Sequence, residues 1–80
     1  MSRIVSVVLP FESDGTTWRV DGAVFIDGST AIPRIDCADG VQGGAVRWLM
    51  ASRLEQVLGR VEYERLQDSM IAKAKSKEIR

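Results

Sequence analysis

Side chains suited to chemistry are sparse in this chain of 80 residues. It contains no histidine and a single cysteine, Cys37. Without histidine no Ser-His or Cys-His nucleophile pair can form, and one cysteine excludes CxxC redox chemistry, four-cysteine zinc sites and an intrachain disulfide. Cys37 lies between Asp36 and Asp39, whereas a reactive thiolate needs electropositive surroundings. We therefore expect Cys37 to be an unreactive thiol.

Three other groupings have residue types suited to chemistry but lack the context that it requires. Ser69 and Lys73 are spaced as a Ser-Lys nucleophile on a helix, yet no oxyanion hole is indicated. The glycine-rich segment 40–44 lacks the Lys-Ser/Thr that completes a phosphate-binding loop. The acidic residues of the first half lie mainly in Asp-Gly pairs, and their spacing does not match an EF-hand. We predict no enzymatic activity, no metal and no cofactor.

A repeated dipeptide organises the elements that would position these residues. Asp-Gly occurs at 14–15, 21–22, 27–28 and 39–40. It suits tight turns, because Asp tolerates the left-handed region and Gly enters it without steric cost. The segments between these pairs are rich in β-branched and aromatic residues. We predict an antiparallel meander of three or four strands over about residues 3–36.

The number of strands depends on how residues 16–27 are interpreted. The first should span about residues 3–11. Residues 16–27 form either two short strands joined at Asp21-Gly22 or one long strand bulged there, and the long strand matches the first one better in length. Residues 29–35 form a further strand. Pro33 cannot donate to a ladder, so it places this strand at an edge or interrupts it.

After Cys37 the apolar periodicity becomes helical, and a helical part is predicted over about residues 44–76. At 100° per residue it carries two apolar stripes that do not align. The first consists of Val46, Leu49, Met50, Leu54, Val57 and Val61, and the second of Tyr63, Leu66, Met70 and Ala74. Either Gly59 separates two helices, or one long helix offers its second stripe to a partner. Typical helix lengths favour the break.

Trp48 is the residue most indicative of binding. In the predicted helix it falls about 160° from the first stripe, on the polar side. On a continuous helix it would share a strip with Tyr63, Leu66 and Met70. Exposed tryptophan is enriched at interaction hot spots. We predict a protein interface formed by Trp48, Tyr63, Leu66 and Met70.

The net charge of zero conceals an asymmetry. Residues 1–40 contain three basic and six acidic side chains, and residues 41–80 contain eight basic and five acidic ones. The excess of positive charge lies in a basic tail, about residues 73–80. Its cations, Lys73, Lys75, Lys77 and Arg80, suggest nucleic-acid contact as an alternative function.

Together these features predict a single α+β domain over residues 1–80, with helices packed on the sheet. No apolar stretch approaches the roughly 20 residues that span a bilayer, so we expect a cytoplasmic protein without membrane contact. A chain this short buries little surface, which favours a homo-oligomer, specifically a dimer. We expect a non-enzymatic protein-interaction module, such as an inhibitor or accessory protein of phage or mobile-element type that binds a host or defence protein.

Overall fold

A computed structural model describes residues 2–78 of the chain as an antiparallel meander followed by two helices. The strands are β1 (Ser2–Ser13), β2 (Thr16–Asp27), β3 (Thr30–Gln42) and β4 (Ala45–Met50), and the helices are α1 (Ala51–Leu58) and α2 (Arg60–Glu78). The strands lie in the order β1-β2-β3-β4, each antiparallel to the next. The predicted α+β class is confirmed, with four strands.

Each hairpin has a two-residue loop. Asp14-Gly15 and Gly43-Gly44 both have positive φ at their two residues, as a type I′ turn requires. In the third hairpin Gly28 has φ of 63° and Ser29 completes the loop. The other two Asp-Gly pairs lie inside strands β2 and β3. The expectation of a turn is therefore wrong at Asp39-Gly40, whereas Asp21-Gly22 lies within the long strand that the sequence favoured.

The prediction of one long strand over residues 16–27 is confirmed. The register shifts where Asp21 pairs with Cys37 and Gly22 pairs with Ile35, which leaves Asp36 as the extra residue. The bulge therefore belongs to β3 and not to β2. A bulge adds one residue to one strand of a pair. Because of this extra residue in β3, Ile35, Ala38 and Gly40 all lie on the buried face of the sheet.

Two glycines on the buried face are needed for close packing. A Cβ at Gly22 would collide with the carbonyl oxygen of Arg34 and lie 2.7 Å from Cε of Met70. A Cβ at Gly40 would lie 2.5–2.8 Å from three ring atoms of Trp18. These glycines serve close approach within strands, which explains why their Asp-Gly pairs do not turn.

The predicted helix start near residue 44 is also wrong. Residues 45–50 form β4, which pairs with residues 37–42 of β3, and helix begins at Ala51. The Gly43-Gly44 turn reverses the chain, so that residues 45–50 lie beside β3. Their backbone groups form hydrogen bonds with β3 and are not available for a helix. Of the first predicted stripe, Leu54 alone is fully buried, whereas Val57 and Val61 are exposed.

The predicted break at Gly59 is confirmed. Gly59 has φ of 83° and ψ of 164°, a conformation that is available essentially to glycine alone. It ends α1 and lets α2 lie across the same face of the sheet. The second predicted stripe contributes three fully buried side chains to the core, Leu66, Met70 and Ala74. They pack against β-strand residues that include Val7, Trp18, Val20 and Val24.

The contact between Trp18 and Gly40 predicts a steric cost for Gly40→Ala. Gly40 does not have positive φ, so the loss comes from the indole and not from the backbone. We expect a decrease of about 1–3 kcal/mol in the free energy of unfolding, the range for overpacked cores. Chemical denaturation measures it. In a Trp18→Phe background, which lacks the second ring, the cost of Gly40→Ala should shrink; an undiminished cost would contradict this explanation.

Candidate functional site

The predicted interface residues do not form one surface. Leu66 and Met70 are fully buried in the core, and Tyr63 is partly buried beside them. Trp48 lies on β4 and is 60% exposed. Because it pairs with Asp39 while its neighbour Leu49 pairs with the buried Ala38, Trp48 points away from the helices. The sheet thus separates Trp48 from the other three residues, and the predicted strip is wrong.

Trp48 instead belongs to the side of the sheet opposite the helices, here called the open face. Large apolar side chains on it are 38–68% exposed. They are Ile4, Val8, Phe25, Ile32, Val41, Val46, Trp48 and Met50. Alternate residues of every strand contribute to this face. The sequence signal was the apolar character of both faces of β1, since Ile4 and Val8 alternate with Val5 and Val7.

The strand register arranges the open face in rows. One row across three strands is Ile4, Phe25 and Ile32, which face one another as cross-strand pairs. They line a shallow groove of about 340 Å³ together with Pro33 and Arg34. Direct cross-strand pairs of aromatic and β-branched residues are favourable contacts. This row is therefore a continuous apolar strip across the sheet.

A second row lies towards the other end of the strands. It consists of Pro10, Arg19, Asp39 and Trp48, one residue from each strand. A groove of about 400 Å³ runs beside it, with Val8, Pro10 and Val41 among its lining residues. Arg19 and Asp39 are direct cross-strand neighbours, yet within residues 2–78 they form no ion pair with each other. The open face thus combines apolar rows with opposite charges placed side by side.

The free edge of β1 is blocked against strand addition. Lys77 Nζ donates to the carbonyl oxygen of Ser6 at 2.6 Å, and Arg65 Nη2 donates to that of Glu12 at 2.9 Å. Along β1 the backbone groups of alternate residues point to the same side, so those of Pro10 point to the free edge as those of Ser6 and Glu12 do. Proline has no backbone N–H to donate to an added strand. Lysine and proline are devices that protect edge strands. Association through this edge is therefore disfavoured.

A polar cluster fastens α2 to the end of β1. Glu62 accepts hydrogen bonds from Arg65 Nη2 and from Ser13 Oγ, each at 2.8 Å. The Arg65 guanidinium also lies 4.3 Å from the ring centroid of Phe11. The hydrogen bonds from Arg65 and Ser13 lower the pKa of Glu62 from 4.5 to about 2. A perturbed pKa can mark an active site, but here structural partners account for it.

The other groupings considered for chemistry are not assembled as they would need to be. Ser69 Oγ donates to the carbonyl oxygen of Arg65 at 3.0 Å, one turn earlier in α2. This hydroxyl is therefore bonded to the helix backbone and not to Lys73. Gly43 and Gly44 form a hairpin turn into a strand, so no helix N-terminus follows them. Cys37 Sγ lies 4.0 Å from Asp21 Oδ2. Among the side chains that the structure describes, no group of three or more Cys, Asp or Glu residues is arranged to hold a metal.

The lysines of the basic tail do not converge. Lys73 and Lys75 are exposed and lie about 200° apart around α2. Lys77 is engaged with the Ser6 carbonyl, and Arg80 lies outside the described residues. Nucleic-acid contact through this tail stays a prediction, with no convergent patch to support it. In the described part of the chain, no helix is long and apolar enough to cross a membrane.

Comparisons with known proteins place the chain in no family. No family model, no curated protein and no solved structure matches it. Functional inference therefore depends on the geometry of the open face.

The lowered pKa of Glu62 predicts how stability responds to acid. Between pH 4.5 and about 2 the unfolded chain binds a proton at Glu62 that the folded chain does not, so the contribution of Glu62 to stability is lost as pH falls through this range. We expect Glu62→Gln to lose less stability over the same range in thermal unfolding.

Glu64→Gln is the matched control for this experiment. It removes an exposed carboxylate that pairs with Arg60 at 3.4 Å on the same helix but makes no contact with β1. It should keep the acid response of the wild type. Identical acid responses of wild type and Glu62→Gln would contradict the assigned role of Glu62.

Proposed function

We propose that this protein is a non-enzymatic protein-interaction module that binds through the open face of its sheet. The supporting observation is the set of eight large apolar side chains, 38–68% exposed, on one side of a continuous four-stranded sheet. Contiguous exposed apolar surface is uncommon on soluble monomers and marks interaction sites. Trp48, on the edge strand β4, is the largest exposed side chain of this face and therefore the proposed anchor residue.

The shape of the open face favours a macromolecular partner over a small molecule. Small-molecule sites are concave and bring a few polar groups together on the ligand. Here the two grooves are shallow and lie across neighbouring strands, with lining residues that are mainly apolar. A flat apolar surface with charges among its rows resembles the composition of protein interfaces, where aromatic residues, Met and Arg are enriched.

Within this class, we propose the role of an inhibitor or accessory protein. Such a role needs only that one surface of the module occupies a surface of another protein, and no chemistry follows. The small size of the chain and its single helical layer agree with this proposal. The fold class alone does not specify a function, so the origin in a phage or mobile element stays a hypothesis.

Trp48→Ser tests the proposed function through binding. We expect affinity capture from the source cell to lose its specific partner, or a known partner to bind at least about tenfold more weakly, because truncating a hot-spot tryptophan typically costs about 2 kcal/mol or more. Since Trp48 is already exposed, the free energy of unfolding should change by no more than about 0.5 kcal/mol.

Val61→Ser is the matched control, because Val61 is 78% exposed but lies on α2. It should bind as the wild type does. Equal binding by wild type and Trp48→Ser, or an equal loss in both variants, would contradict the assignment of the open face.

A further inference from the structure

We infer that the open face binds a second copy of this chain, face to face, about a two-fold axis parallel to the strands and between β2 and β3. This inference rests on the proposed function and names its partner. The axis exchanges β2 with β3 and β1 with β4. Each row of the open face therefore lies opposite the same row of the second copy, with its order reversed.

The dimensions of the open face suit another sheet. Strands of 12 residues such as β1 and β2 extend about 40 Å, and four strands are roughly 15–20 Å across. Because β4 has only six residues and covers half the length of the other strands, the face covers roughly 600–700 Å² in plane, close to the roughly 800 Å² per partner of a standard interface. A helix about 10 Å wide would cover only part of it, whereas a second copy has the same outline.

The charges of the central row become complementary under this operation. Arg19 of each copy faces Asp39 of the other, because β2 lies opposite β3 and the two residues share a row. Two reciprocal ion pairs result. Within one copy these neighbours do not pair with each other, in the part of the chain that the structure describes, so both remain available to the second copy. An isologous interface requires this kind of self-complementarity.

Three pairs of apolar residues face each other across the interface. The operation places Phe25 opposite Ile32 and Val8 opposite Met50 of the second copy, and it places Pro10 opposite Trp48. Three further carboxylates of the face meet no charged residue in this register, since Asp21 lies opposite Cys37, Asp27 opposite Thr30 and Glu12 opposite Val46. Aligned sheets keep their strand directions within about 30° of each other and interdigitate their side chains, and the proposed axis keeps the strands of the two copies parallel.

Charge reversal tests the two-fold register on the purified protein. We expect the wild type to be a dimer by sedimentation velocity over a concentration series into the high micromolar range. Arg19→Asp places two carboxylates opposite each other twice per dimer, and Asp39→Arg does the same with two guanidinium groups. Each variant should weaken dimerisation at least tenfold, which corresponds to about 1.4 kcal/mol.

Mixing the variants separates this register from general disruption. Arg19→Asp combined with Asp39→Arg pairs opposite charges at both positions, so an equimolar mixture should form heterodimers although neither variant dimerises alone. The double variant R19D/D39R should dimerise as the wild type does. Arg53→Asp, a reversal of an exposed charge on α1 that contacts Gln56, is the control and should leave the dimer intact.

Three results would overturn the inference. One is a monomeric wild type throughout the series; another is a mixture or a double variant that fails to restore dimers. A third is an equal loss in Arg53→Asp. A monomeric wild type that still captures a different protein through Trp48 would refute the second copy as partner and leave the proposed function standing. A neutral Trp48→Ser in both experiments would refute both.

Discussion

The close packing of Met70 and Trp18 against two glycines of the sheet constrains the core of this structure. The six-membered ring of Trp18 fills the space that a Cβ at Gly40 would need, and Met70 does the same at Gly22. The indole N–H has no hydrogen-bond partner in the described residues, so shape complementarity holds the ring in place. Because protein interiors are densely packed, the contact of Met70 with Gly22 limits how closely α2 approaches the sheet, and the contact of Trp18 with Gly40 fixes the indole between β2 and β3.

The helical layer covers one side of a sheet that is apolar on two. Helices α1 and α2, of eight and 19 residues, both pack on the buried face, and their buried side chains complete its core. Sheets that are apolar on both faces are normally covered on both. Because only one of the two apolar faces is covered by helices, the open face is the surface to which we assign the proposed interaction.

The turn residues, the apolar periodicity and the position of Gly59 were sufficient to predict the α+β class, the long β2 strand and the break between the helices. It failed between residues 39 and 50, for reasons that lie elsewhere in the chain. Asp39-Gly40 has the composition of a turn, but Gly40 is needed inside β3 by Trp18, 22 residues earlier. Residues 45–50 have a helical pattern, yet pairing with β3 overrides it. The wrong prediction for Trp48 followed from this error. The direction of its side chain was calculated for a helix of 3.6 residues per turn, whereas the side chains of a strand alternate between two faces.

The β1 edge of the sheet and its open face differ in the kind of association that they allow. Pairing at a strand edge uses backbone groups that every chain possesses, so an open edge accepts many partners. Here Pro10, Lys77 and Arg65 obstruct the β1 edge, and Pro33 lies on the part of β3 that extends beyond β4. The open face has no such obstruction, and contacts there depend on the identity and order of side chains. Association by the face can therefore be specific where association by the edge would not be.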